Sequence, residues 1–246
     1  RSISGDRACT SHSVFHTINF MVRLSGLYAR GRRNARSYRV TAADFVFPDL
    51  PTAFDDYHIL HLSDLHIGQN DDMLRMVGER FSALGPDLVV VTGDFQTFGN
   101  PPGKKAAELV GHLVSNIDSR DGWIAVLGNH DTHDMLDALD AIDVRVLANE
   151  SVAVSRGDDA LRFVGTDDVH AFYSPDAVTA LEDHQEGFRV ALVHTVDLAT
   201  LASGLGYSLY LSGHTHGGQI CLPGGRPVLT ALDSHRHLAS GRWGLD

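Results

Sequence analysis

Cysteine is scarce in this 246-residue chain, with Cys9 and Cys221 the only two. Two isolated thiols build neither a disulfide framework nor a thiolate metal site, and they read as reduced thiols in a cytoplasmic, reducing compartment. Internal repeats and low-complexity stretches are also missing, which excludes solenoids and arrays. No apolar stretch approaches the roughly 20 residues of a membrane-spanning helix. Net positive charge is confined to the first forty residues. Residues 1–40 hold eight arginines against the single acid Asp6, a net +7, while the whole chain is −11, so the other 206 residues carry −18. A body that acidic disfavours a nucleic-acid partner, because a phosphate backbone needs a basic footprint.

What is present is an ordinary globular composition, 43% hydrophobic and 21% charged, with an excess of histidine, fifteen in all. The basic arm, residues 1–50, contains "SVFHTINFMVRLSGLYARGRR". Val14, Ile18, Met21, Val22 and Ser25 lie near helical spacing with arginines behind them. Two readings stay open for residues 14–39: a peripheral contact with anionic lipid at the inner face of the membrane, or an amphipathic helix packed on a domain. "FPDLP" (47–51) reads as the loop into a second region, residues 51–246. The chain opens on Arg1 rather than Met and ends on "LDSHRHLASGRWGLD", which leaves open whether sequence lies beyond either end.

Within 51–246, short apolar runs alternate with helical patterns. Strands are expected over 57–64, 87–94, 122–131, 188–195 and 207–216, and helices over 72–84, 103–116, 134–142, 176–183 and 197–203. Residues 144–166 read as successive antiparallel strands turning at Arg156–Asp159. The sum is a mixed α/β domain. Each of the five apolar runs ends in residues of metal-ligand type: Asp64 and His66, Asp94, Asn129 with His130 and Asp131, His194, then His214 and His216. Ligands gather at the carboxyl ends of strands in α/β sheets, so five such ends could converge on one place.

Singly these signals are weak, but their order is specific. "HLSDLHIG", "VVTGDF", "LGNHD", a lone His194 and "GHTHGGQI" resemble the calcineurin-like metallophosphoesterase superfamily, in particular its bacterial GHTHGGQ branch of cell-envelope phosphoesterases and hydrolases of UDP-2,3-diacylglucosamine. The resemblance covers nearly all of 57–220. It implies a four-layer α/β/β/α sandwich holding two divalent metal ions, with Asp94 bridging them. Asp64, His66 and His216 would complete one site, and Asn129, His194 and His214 the other. A mixed nitrogen and oxygen donor set without thiolate suits Mn²⁺, Fe or Zn²⁺, with Mn²⁺ the leading choice. The reaction implied is in-line attack on phosphorus by a metal-bridging hydroxide.

His130 would then stabilise developing charge or protonate the leaving oxygen. Asp131 is placed to orient that imidazole, and a turn or helix-cap role serves it nearly as well. One departure stands out: many family members carry Asp or Asn three residues after the bridging aspartate, where this chain has Thr97. Cys221 reads as a strand residue. His58 and His61 are expected to pack within the first strand, and His133 and His170 are candidates for lining the cleft. His235 and His237 are expected on a flexible loop. The substrate expected carries a phosphodiester or pyrophosphate bond and is a small phosphoester or a membrane-associated, lipid-linked nucleotide. The alternatives are a phosphomonoesterase or protein phosphatase of the same superfamily, and a non-catalytic metal-binding scaffold.

Overall fold

The computed structural model describes residues 21, 23–35, 37, 40–68, 77–78, 80–171, 174–183, 186–218, 220–221, 227–229, 232 and 236–245. The chain divides into two units, residues 1–45 and 46–246. In the first, Met21, Arg23 and Leu24 are helical, a turn follows where Gly26 takes φ 72°, and then helix α1 (Leu27–Ala35). The helical stretch expected there is therefore interrupted at Ser25–Gly26, and its residues 14–20 lie outside the described set. Arg23 lies over the Tyr28 ring at 4.6 Å.

The second unit is a sandwich of two four-stranded sheets. Strands β1 (Ile59–Leu62), β2 (Leu88–Thr92), β3 (Trp123–Val126) and β4 (Val144–Val146) form one sheet in that order, parallel throughout. Strands β5 (Glu150–Arg156), β6 (Asp159–Gly165), β7 (Phe188–Leu192) and β8 (Leu209–Leu211) form the other. There β5 and β6 are an antiparallel hairpin, and β6, β7 and β8 run parallel. A small antiparallel ribbon, β9 (Ile220–Cys221) with β10 (Pro227–Leu229), places Cys221 in a strand.

Central strands must bury both faces, and their sequences comply: every residue of β2, β3 and β7 is buried. The inner faces meet in one apolar cluster. Leu88, Val90, Ile124 and Val126 come from the first sheet, and Leu161, Phe163, Val190 and Leu192 from the second, with Leu147 between. Helices α2 (Gly103–Asn116) and α3 (Asp134–Asp140) follow β2 and β3 and bury Ala106, Val110, Leu113, Met135 and Leu139. On the outer face of the second sheet, Leu181 of α4 (Pro175–Glu182) and Ala202 of α5 (Ala199–Gly204) pack on Val164, Ala191 and Val193. The result is the expected α/β/β/α sandwich.

Two expectations need correction. Val144–Val146 is not part of an antiparallel run but pairs in parallel with β3. The helix between the two strands makes a crossover, and crossovers deliver parallel partners, a fact that local alternation cannot reveal. His58 is exposed just before β1 rather than packed in it, its backbone N–H donating to Asp87 Oδ2 at 2.8 Å. His61 faces Thr92 Oγ1 at 2.8 Å. Of the expected 72–84 helix, residues 77–78 and 80–81 are helical, the turn Ser82–Leu84 is 3-10, and 71–76 lie outside the described set.

The amino-terminal ends of β1 to β3 are closed by one arginine. Arg156, at the tip of the β5–β6 hairpin, donates to Asp87 Oδ1 at 2.8 Å, Asp121 Oδ2 at 3.3 Å and the Ala53 carbonyl at 3.2 Å. Its guanidinium lies 4.9 Å from the Tyr57 ring centre and 5.1 Å from that of Phe54. Tyr57 Oη donates to Asp121 at 2.8 Å. Burial works against ionisation of Asp87, but the His58 N–H and Arg156 outweigh it and hold the carboxyl below its ordinary range.

Candidate metal centre

At the opposite, carboxyl end of the same strands the chain leaves regular structure within one or two residues. Asp64, His66, Asp94, His214 and His216 all have positive φ, between 41° and 69°. L-residues avoid that region, so the fold is holding five donor-bearing residues in strained backbone. The loops after β1 and β2 brace each other: Asp64, His66 and Ile67 donate their N–H groups to the carbonyls of Gly93, Asp94 and Phe95 at 2.8–3.0 Å. Close approach requires glycine at two points. A Cβ on Gly213 would collide with the Ser63 hydroxyl, and one on Gly128 with the Asp94 carboxylate.

Two groups of donor atoms result, sharing Asp94: Asp64, His66, Asp94 and His216 in one, and Asp94, His194 and His214 in the other. In the first, His66 Nε2 and His216 Nε2 are 3.2 Å apart, with Asp64 Oδ1 3.4 Å from His216 and Asp94 Oδ2 3.7 Å from His66. In the second, His194 Nε2 lies 3.4 Å from Asp94 Oδ2, 3.2 Å from Asn129 Oδ1 and 3.3 Å from His214 Nδ1. All seven expected ligand positions are therefore brought together. Each group draws on both sheets, since Asp64, His66, Asp94 and Asn129 follow β1, β2 and β3, while His194, His214 and His216 follow β7 and β8.

The donor chemistry fits cations. His194 Nδ1 faces the Thr92 carbonyl at 2.6 Å and His66 Nδ1 the Gln96 carbonyl at 3.0 Å. A carbonyl only accepts, so each Nδ1 carries hydrogen and each Nε2 is turned into the site, the tautomer a ligating histidine needs. Asp64 Oδ2 accepts from the His214 N–H at 3.0 Å, but its buried Oδ1 has no hydrogen-bond partner among the described residues. A buried carboxylate oxygen left in that state, aimed among imidazole nitrogens, is explained by a cation.

Electrostatics agree. Burial opposes charge on Asp94, yet hydrogen bonding to His194 and the nearby His130 outweigh it and lower its pKa. Burial likewise opposes charge on His194, and Asp94 overrides it, raising the imidazole to about 9. Burial lowers the pKa of His214 and of His130.

Thr97 takes a place beside the site: its hydroxyl is 3.2 Å from His66 Nδ1, sharing that ring nitrogen with the Gln96 carbonyl. The position of the family's usual Asp or Asn is thus filled by a neutral oxygen that steadies a ligand.

His130 sits where the sequence suggests. Its N–H donates to Asp94 Oδ1 at 2.9 Å, and its Nε2 is 4.0 Å from Asp94 Oδ2. Its Nδ1 accepts from the Phe98 N–H at 3.1 Å, so that nitrogen is unprotonated and the ring's hydrogen lies on Nε2, toward the site. Asp131 is buried and engaged elsewhere: Oδ1 accepts from Gln96 N–H at 2.8 Å and Oδ2 from Gly128 N–H at 2.9 Å. It ties the loops after β2 and β3 together instead of contacting the His130 ring. Burial pushes its pKa up to about 7.

Sequence reasoning underrated His170. Its ring stacks on His214 with centres 5.3 Å apart, and its Nε2 is 2.8 Å from Asp197 Oδ2. The signal available was the position of "DDVHA" directly after a strand. His133 precedes α3, His237 lies on a 3-10 turn against Trp243, and His235 is outside the described set.

Sandwich and donor set together define a class of metal-dependent phosphoester hydrolases, and the chain belongs to the calcineurin-like phosphoesterase family, whose sequence profile matches residues 57–218. It is 30% identical over 191 residues to the metallophosphoesterase YkuE of Bacillus subtilis, which covers 74% of this chain and 65% of that protein. It is 28% identical over 240 residues to a transmembrane protein with metallophosphoesterase domain from Danio rerio, covering 89% of this chain and 54% of that one. The UDP-2,3-diacylglucosamine pyrophosphatase LpxG of Chlamydia trachomatis is 34% identical over 88 residues, 34% of this chain and 26% of LpxG. The chain thus spans less than two thirds of the length of these three relatives. Among the described residues no helix is long and apolar enough to cross a membrane.

Proposed function

We propose that this chain hydrolyses a phosphodiester or pyrophosphate bond, with two divalent cations at the shared Asp94, on a small or lipid-linked nucleotide. The carrying observation is the pair of donor groups that meet at one carboxylate, Asp94, beside an outward Nε2–H on His130. Bound divalent ions, Mn²⁺ first among the candidates, would supply Lewis acidity and activation of water. The remaining work falls to the chain. Asp64, His66 and His216 hold one side, and Asn129, His194 and His214 the other. Neutral Asn129 limits the negative charge facing an anionic substrate. His130 donates from Nε2 to a phosphoryl or leaving oxygen as charge develops there. Asp131 and Thr97 act at one remove, fixing the loop and the His66 ring.

The similarity to LpxG supports a pyrophosphate in a lipid-linked nucleotide, and the basic arm supports a substrate met at the inner membrane face. A panel of phosphomonoesters, diesters and nucleotide pyrophosphates, run with added Mn²⁺, tests this reading. Preference for diesters or pyrophosphates is expected. Preference for monoesters or phosphoproteins makes it a phosphatase, and fewer than about one ion per folded chain after reconstitution makes it a scaffold. For the arm, liposomes with anionic lipid should sediment the full chain and not a version starting at Thr41. Equal sedimentation sinks the membrane part.

A further inference from the structure

We propose that Phe98 is a stacking platform for the base of a nucleotide substrate, set beside His130 at the mouth of the site. This rests on the diester or pyrophosphate reading above and specifies the organic part of the substrate. Phe98 is 83% exposed, and its φ is 51°. A lone exposed apolar side chain needs no explanation. A bulky aromatic held in left-handed backbone does, because its Cβ disfavours that conformation. The turn carrying it is fixed from four sides. Thr97 and Asn100 exchange backbone hydrogen bonds at 3.0 and 3.1 Å, Gly99 N–H donates to the His130 carbonyl at 2.8 Å, and Phe98 N–H donates to His130 Nδ1. The ring centre lies 4.2 Å from that of His130, tilted 43°. The backbone that sets the His130 tautomer therefore also presents an open aromatic surface beside that imidazole.

The neighbours of this ring choose the ligand chemistry. The ring packs on the polar imidazole of His130, and the residues beside Phe98 in its turn, Thr97, Gly99 and Asn100, are polar or small. A single rigid ring among polar groups suits a planar π system, which stacks on one face and keeps its edges hydrated.

The test uses the Mn²⁺-loaded full chain as wild type, Phe98→Ala, Phe98→Leu and Phe98→Trp. Each is assayed on UDP-glucose and on inorganic pyrophosphate, which has no base. Phe98→Ala and Phe98→Leu should raise KM for the nucleotide at least about tenfold more than for pyrophosphate, the size expected for loss of one stacked base. Phe98→Trp should restore it. Relative to wild type, its added indole fluorescence should be quenched by uridine monophosphate and not by inorganic phosphate. Equal losses on both substrates would mean that the ring acts only through His130, and a fully active Phe98→Leu would mean an aliphatic partner. Either result overturns the proposal. If wild type turns over neither substrate, the pyrophosphate half of the reading above fails, and the fluorescence titration still decides the platform by itself.

Discussion

At the amino ends of β1 to β3, Tyr57, Asp87 and Asp121 close on Arg156 with short bonds and a stacked guanidinium. At the carboxyl ends of the same strands, Asp64, Asp94 and Asn129 face four histidines. Among the described residues no lysine or arginine is ion-paired with either aspartate. At the first end both aspartates are neutralised within the chain, by the Arg156 guanidinium. The second has positive φ at five donor residues and leaves the buried Asp64 Oδ1 without a hydrogen bond among the described residues. One set of strands thus carries stability at one tip and chemistry at the other. Neither tip can be exchanged for the other, because aspartates already neutralised by an arginine have no free charge to hold a cation.

Substitutions can break this contrast, and the largest effect is expected at the bridging carboxylate. Asp94→Asn should lower kcat about a thousandfold, the upper range for one preorganised charge-stabilising group, and should also lower the thermal midpoint of metal-free protein, because it removes the carboxylate that pairs with His194. Calorimetry in chelator alongside Mn²⁺ kinetics checks both halves. At the opposite tip, Phe54→Ala should cost about 3–5 kcal/mol in denaturant titration, because Phe54 is fully buried beneath Arg156, with kcat of the folded fraction little changed. Thr97→Val removes one of two oxygens at His66 Nδ1 and should weaken metal binding about tenfold, read by competition with a chromogenic chelator. Tyr57→Phe should cost about 1 kcal/mol of stability and leave metal affinity alone.

The smallest effect sharpens the comparison through pH. The carboxyl of Asp87 is held below its ordinary pKa of 3.8, so its stabilisation is complete above that value and lost as pH falls through the lowered one. Asp131 is raised to about 7, so between about 4 and 7 the folded state holds more protons and stability declines as pH rises. In metal-free protein Arg156→Met should flatten the acid limb, and Asp131→Asn should remove the decline toward neutrality. Identical pH profiles in all three proteins would show the two tips to be electrostatically alike.

The site was legible in the sequence for a physical reason: each ligand follows an apolar run immediately, so strand and donor are read in one glance. The inner core was legible for the same reason, since β2 and β7 are apolar throughout. The Arg156 closure was not legible, because Tyr57, Asp87, Asp121 and Arg156 each precede or end a strand as ordinary polar residues and meet only in three dimensions. Asp131 shows the limit within a motif. Adjacency to His130 suggested a partnership, whereas its side chain turns back to the Gly128 and Gln96 N–H groups. Likewise Val144–Val146 has strand composition but carries no mark of which sheet it joins.

Both donor groups take atoms from both sheets, and the Thr92 carbonyl of β2 meets His194 beyond β7 at 2.6 Å. Any motion that parts the sheets from this end must separate His194 and His214 from Asp94, and His216 from Asp64. Loaded with ions, the centre would work as a latch on the sandwich, with Arg156 the hinge pin at the far tip. Sheet separation would then be slow while ions are held and fast once they leave. Resistance to protease and to hydrogen exchange in β2 and β7 would become a clock for metal release.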